Sequence, residues 1–165
     1  MFGAKGSQPK LIIHSDSAYA NSAKSHSTTG CVFFIGDAPV GWVSKKQPVV
    51  AQSSTEAEYI ALFDAAKQAI WIWHFLYSIG KSGIYYNTPT TIYEDNEGAI
   101  KIADNPVNHP HTKHIGVWYH AIWGHIESGE VCLEYLSMDQ MIVDDLTKAM
   151  NLVTQKQLVD GLRLA

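Results

Sequence analysis

Carboxylates stand at several places where regular elements begin or end. Asp16 lies at the end of the β-rich run KLIIHSDSAYA (10–20), and Asp95 closes the run PTTIYED (89–95). Glu56 and Glu58 sit in SSTEAEYIAL (53–62), at the front of a long helical pattern, and Asp144 and Asp145 open the last one. Taken singly, an acid at a helix start is a cap or a dipole partner. Taken together, Asp16, one glutamate, Asp95 and one of the final aspartates form a set that repels itself and calls for cations. Hard oxygen donors suit Mg²⁺ or Mn²⁺, which keep waters and accept phosphate oxygens. Two such ions about 4 Å apart activate water on one side of a phosphodiester and stabilise the leaving oxygen on the other. The set therefore points to phosphodiester hydrolysis.

Residues two apart on a helix face nearly opposite sides, so only one of Glu56 and Glu58 turns toward the protein body. Ser53 with Glu56 fits a capping box, and so does Thr55 with Glu58. Spacing alone leaves the choice open, as it does between Asp144 and Asp145.

The elements that must position these acids follow from periodicity and punctuation. Residues 10–20 read as a strand, and GCVFFIGDAPVGWVSKK (30–46) as two strands around the turn at 36–39. Residues 54–79 have helical spacing and stop at Gly80. A strand at 89–95 precedes a short helix that ends at Asn105-Pro106. A helix over 112–128, a half-buried strand over 130–137 and terminal helix, in one or two pieces, complete the chain. The order β-β-β-α-β-α-α-β-α predicts one α/β domain with a mixed five-stranded sheet and helices on both faces. If the first and fourth strands are neighbours, Asp16 and Asp95 lie side by side.

Composition narrows the function. The 165 residues are 46% apolar, enough for one domain with a core, and the net charge is −4. Eleven lysines accompany a single arginine, Arg163, whereas a self-sufficient nucleic-acid binder is usually basic. Cys31 and Cys132 read as separate buried thiols, which favours a reducing compartment. No signal peptide is visible and no apolar run spans a bilayer, so no membrane partner is expected. His109, His111, His114, His120 and His125 cluster, but their spacing matches no zinc pattern and no zinc is expected. Trp71 and Trp73 read as core residues, with Trp42, Trp118 and Trp123 placed elsewhere.

The motifs HSDSAYA, SSTEAEYIAL, TIYEDNEGAI, NHPHTKHI and DQMIVDDLTKAM occur in this order, and STTGCVFFIG precedes GWVSKKQPVVAQSSTEAEY. In that order they resemble the ribonuclease H domain of Copia-type LTR retrotransposon polyproteins, over roughly residues 11–164. The resemblance implies an RNase H fold, with the domain expected over 10–165; the polar, Gly-containing stretch 1–9 reads as tag or linker. It implies cleavage of the RNA strand of an RNA–DNA hybrid during reverse transcription, with two Mg²⁺ ions, replaceable by Mn²⁺. It assigns catalysis and metal binding to Asp16, Glu58, Asp95 and Asp144, and leaves Glu56 as the cap.

The same resemblance makes the reverse-transcriptase polymerase domain of the polyprotein a partner. It also implies an intracellular setting, a cytoplasmic virus-like particle or the nucleus. Ser17, Lys24, Ser54, Asn96, Lys113 and His114 are the expected nucleic-acid contacts. Lys45, Lys46, Lys101 and Lys148 add nonspecific phosphate attraction. The chain departs from the family in carrying SAKSHS and YHAIWGH where basic residues are usual, and both changes thin the hybrid-binding face. The stretch LSMDQ holds no histidine, as in similar retrotransposon domains. The rival expectation is a catalytically weak or idle RNase H-fold interaction module.

Overall fold

The computed structural model describes residues 10–22, 24–81, 88–104, 116–143, 146–147, 156 and 159. Strands β1 (Leu11–Ala18), β2 (Thr28–Ile35) and β3 (Ala38–Lys46) form an antiparallel meander. Gly36 makes the tight β2–β3 turn with a positive φ of 61°. Helix α1 (Ser54–Ser78) then carries the chain over the sheet to β4 (Thr90–Glu94), which pairs with β1 in parallel. A parallel neighbour requires such a crossover. Helices α2 (Glu97–Asp104) and α3 (Gly116–Glu127) lead to β5 (Val131–Tyr135), parallel to β4. The sheet order is β3-β2-β1-β4-β5.

One core lies between the sheet and all three of these helices, built from Ile13, Phe33, Ile92 and Val131 against Tyr59, Leu62, Ala103 and Ile122. Each such aliphatic or aromatic side chain contributes on the order of 1.5–3 kcal/mol by burial. On α1, Ala57, Ala61, Ala65 and Ala69 are fully buried. Small side chains at this spacing bring the helix axis close to the strands. That close approach carries the first turns of α1 to the strand ends.

The opposite sheet face carries Ile12, Val32, Phe34 and Tyr93, covered by Met141, Val143 and Leu146. A short 3-10 helix (Met138–Gln140), which periodicity did not reveal, begins this covering segment. Of the expected terminal helix, Val143 and Thr147 lie in turns, Leu146 has 3-10 geometry, Lys156 and Val159 are helical, and the rest lies outside the described residues. So does the expected helix start at 112–115; the described part of α3 begins at Gly116.

Trp73 is half-buried and donates from Nε1 to Thr90 Oγ1 at 2.7 Å, but Trp71 is 62% exposed, contrary to its reading as core. Full burial along α1 stops at Ala69, and the apolar residues beyond it are partly or largely exposed. Trp71 stacks on Phe75 with ring centroids 5.6 Å apart, beside Trp42 of edge strand β3. Among the described residues, no helix is long and apolar enough to cross a membrane.

Candidate active site

The β1–β4 pairing ends at His14↔Tyr93, and two residues beyond that register the strands reach Asp16 and Asp95. Parallel neighbours thus deliver two acids to one edge. The third comes from α1. Ser53 caps the helix by accepting from Glu56 N at 3.1 Å, and Glu56 reaches back to accept from Gln52 N at 3.1 Å. Glu56 is thereby held at the helix start, and Glu58 turns to the strand ends. One carboxylate oxygen each from Asp16, Glu58 and Asp95 lies within 4.8 Å of the others.

Asp16 and Glu58 are nearly buried, so their charges are costly. Burial pushes the Glu58 carboxyl up to about 9, and the charges of Asp16 and Asp95 add to the shift. Glu58 Oε2 is buried without a hydrogen-bond partner among the described residues. An orphaned oxygen amid converging, mutually repelling carboxylates matches the donor set of a hard divalent cation. The site fits such an ion.

A further acid joins the cluster. On β4 the even positions Thr90, Ile92 and Glu94 face α1, and Glu94 is wholly buried. Burial, then the Glu58 charge, then Asp95, raises its carboxyl well above the usual range. Its Oε1 accepts from Asn96 N at 3.3 Å, while Oε2 is unpartnered. Strand alternation carried the signal for Glu94, obscured by attention to the acid that ends the strand.

The expected nucleic-acid contacts divide by position. Ser54 and Lys24 are exposed. Ser17 is buried, and its hydroxyl lies near Glu58 without a regular hydrogen bond, inside the cluster rather than on an open surface. Asn96 Oδ1 caps α2 by accepting from Ala99 N at 3.0 Å. Lys45 pairs with Asp64 at 2.9 Å and Lys101 with Glu97 at 2.8 Å, so both supporting lysines already have carboxylate partners. Asp144, Asp145, Lys113, His114 and Lys148 lie outside the described residues.

Thr147 was missed as a site residue. It is 3% exposed, and its hydroxyl donates to Asp16 Oδ2 at 2.7 Å, across 131 positions of sequence.

A mixed five-stranded sheet with this strand order, acids at the ends of its central strands and a glutamate from the crossover helix define a ribonuclease H-like domain. Among solved structures the chain is similar to the ribonuclease H1 isolated from compost (LC11-RNase H1), with a TM-score of 0.62 and 15% identity over 95% of this chain and 99% of that one. It is also similar to part of a foamy viral protease-reverse transcriptase in complex with an RNA/DNA hybrid, with a TM-score of 0.54 and 15% identity. That match covers 89% of this chain and 17% of that one. In sequence it is 36% identical over 154 residues, 93% of its length, to the retrovirus-related Pol polyprotein from transposon RE2 of Arabidopsis thaliana. The chain spans about a tenth of the length of that relative. No family model matches it. The chain is related to a segment of Copia-type retrovirus-related Pol polyproteins and has the ribonuclease H fold.

Proposed function

We propose that the chain is a divalent-metal-dependent endonuclease that cleaves the RNA strand of RNA–DNA hybrids during retrotransposon reverse transcription. The observation that carries this reading is the convergence of Asp16, Glu58 and Asp95 within 4.8 Å, with Glu58 Oε2 orphaned. Asp144 is the fourth acid of the reading. Bound Mg²⁺ or Mn²⁺, two ions in this reading, supplies Lewis acidity toward a water and the scissile phosphate.

The chain's own residues do the rest. Asp16 and Asp95 are presented by adjacent strands of a rigid sheet, and Glu58 by a helix capped through Ser53 and Glu56. Asn96 follows Asp95 in sequence and Ser54 stands four residues before Glu58 on α1; in this reading their polar groups bond sugar 2′-hydroxyls, which distinguishes RNA from DNA. Lys24, Lys113 and His114 belong to the phosphate-facing side in this reading. A foamy viral relative of this fold was solved with an RNA/DNA hybrid, which supports the substrate.

With a net charge of −4, this segment grips a polyanion weakly. The polymerase domain of the same polyprotein is the companion that supplies the missing grip. The rival, an interaction module without catalysis, draws on one feature. This is an apolar groove of about 430 Å³ between β3 and the C-terminal half of α1, lined by Trp42, Trp71 and Phe75. Its nearest helix position, Gln68, lies about 15 Å along α1 from Glu58 at 1.5 Å per residue, so the groove does not compete with the carboxylates.

The test is cleavage of a labelled RNA–DNA hybrid at low salt with Mg²⁺ or Mn²⁺, with Asp95→Asn as control. Cleavage lost in the variant supports the reading. No cleavage by the folded wild type, alone or joined to its polymerase domain, moves the conclusion to the interaction module.

A further inference from the structure

Asp16 needs more than a strand end to present its carboxylate in one orientation. The χ2 torsion of an aspartate is broad and two-fold, so an unrestrained carboxylate samples many planes. A short hydrogen bond to one oxygen removes that freedom, and one to an ionised acceptor is about twice as strong as a neutral one. The 2.7 Å bond from Thr147 Oγ1 to Asp16 Oδ2 is of this kind.

Thr147 is itself held from three directions. Its carbonyl accepts from Asn21 Nδ2 at 2.9 Å, and Asn21 Oδ1 accepts from Thr28 Oγ1 at 2.9 Å. The neighbouring Leu146 carbonyl accepts from Ser44 Oγ at 2.7 Å. The Thr147 methyl group rests over Gly30, where an added Cβ would stand 2.6 Å from Thr147 Cγ2. Gly30 is the residue of β2 directly paired with Asp16. The glycine opposite the acid therefore makes room for the threonine that orients it. Strands β1, β2 and β3 and the β1–β2 connection all contribute to this clasp.

Resting on the metal-dependent nuclease reading above, we propose that Thr147 is a positioning residue for the metal site. Its hydroxyl fixes the Asp16 carboxylate for metal binding, and the clasp around its backbone anchors the chain three residues after Asp144. Partners that orient metal ligands typically contribute ten- to a hundredfold in affinity. A threonine present only for packing would act through its methyl group and not through its hydroxyl. The two roles separate by substitution, because valine keeps the methyl group and replaces the hydroxyl with a second methyl, whereas serine keeps the hydroxyl and drops the methyl.

The experiment is calorimetric titration of the full chain with Mn²⁺ alone, alongside the Mg²⁺ concentration for half-maximal cleavage. Thr147→Val is expected to weaken Mn²⁺ binding by about ten- to a hundredfold and to raise the Mg²⁺ requirement in parallel. Thr147→Ser is expected to stay within about threefold of wild type on both readouts. Mn²⁺ binding by Thr147→Val equal to wild type overturns the proposal, and so does a folded Thr147→Ser as impaired as the valine variant. The serine result decides the matter if the valine variant does not fold. If the wild type itself binds no Mn²⁺, the nuclease reading fails on its own. A crystal structure of Thr147→Val then decides the orienting role: Asp16 in its wild-type rotamer refutes it, and a rotated or split carboxylate upholds it.

Discussion

Glu94 of β4 is wholly buried beside Glu58 of α1, and both carboxyls are held above their ordinary range. Burial is the largest cause for each. Asp16 and Asp95 add to the shift at Glu58, and Glu58 and Asp95 to that at Glu94. A carboxyl whose pKa is higher in the folded than in the unfolded state binds its proton more tightly when folded. Its contribution to stability is complete below the unfolded pKa, near 4.5, and is lost as pH rises through the folded value, about 9 for Glu58.

The metal-free protein is therefore expected to lose stability as pH rises from 5 to 9, by up to about 1.4 kcal/mol per pH unit for each such group. Thermal unfolding in chelator across that range measures the slope. Glu94→Gln, which removes one titrating member, should flatten it and raise Tm at pH 8. A slope unchanged in Glu94→Gln, or a wild-type Tm that climbs with pH, would count against this electrostatic account.

Asp95→Asn should move activity and stability in opposite directions. Asparagine keeps the shape and removes one of the charges that raise Glu58. Hybrid cleavage should fall by more than about a hundredfold, the scale set by losing one electrostatic group from a reacting centre. The metal-free Tm at pH 8 should rise. Paired cleavage and unfolding assays on one preparation check both signs, and loss of activity with a lowered Tm would point to misfolding instead.

The fold was legible because its elements are long, periodic and cleanly punctuated. Gly36 turns one hairpin, Gly80 ends α1, and burial alternates along β4, whereas in β5 it fades toward an exposed Tyr135. The meeting of Asp16 with Asp95 followed from placing the first and fourth strands side by side. The choice between Glu56 and Glu58 did not follow from spacing, because both fit a capping box. It was resolved by resemblance, and in the structure Glu56 accepts from Gln52 N while Glu58 faces the acids. Thr147 stayed hidden because its partner is 131 residues away and nothing local marks a hydroxyl as an orienting group. Trp71 was misread because helical periodicity reports which residues share a face, and not how far along the helix burial extends, which here stops at Ala69.

Salt should weaken the isolated domain sharply. A single arginine and the internal pairs of Lys45 and Lys101 leave few cations for phosphate. Such binding depends on counterion release and falls linearly in log–log plots. Cleavage rates measured between about 50 and 200 mM salt should drop through KM more than through kcat. Joining the polymerase domain should lower KM and extend the tolerated salt range. Equal KM with and without it would sink the idea of a supplied grip.

Gln47 is the last tie between the meander and the helix that carries Glu58. It is 1% exposed, and its Nε2 donates to the Ala57 carbonyl at 2.8 Å and to Thr29 Oγ1 at 3.1 Å. Its backbone N–H donates to the Ser27 carbonyl at 2.8 Å. The side chain thus fastens the first turns of α1, one residue from Glu58, to the start of β2. Gln47→Ala leaves the Thr29 hydroxyl without this donor and opens a cavity, at a cost of about 1–3 kcal/mol. Because the loss falls beside the carboxylate cluster, the Mg²⁺ requirement for cleavage should rise as well. Gln47→Glu offers a harder test. It keeps the volume, but it replaces an amide donor facing a carbonyl with an acceptor and adds a charge near Glu58. It should destabilise the fold more at pH 8 than at pH 5, which urea titrations at the two pH values would measure. Equal destabilisation at both would show that Gln47 acts by packing alone.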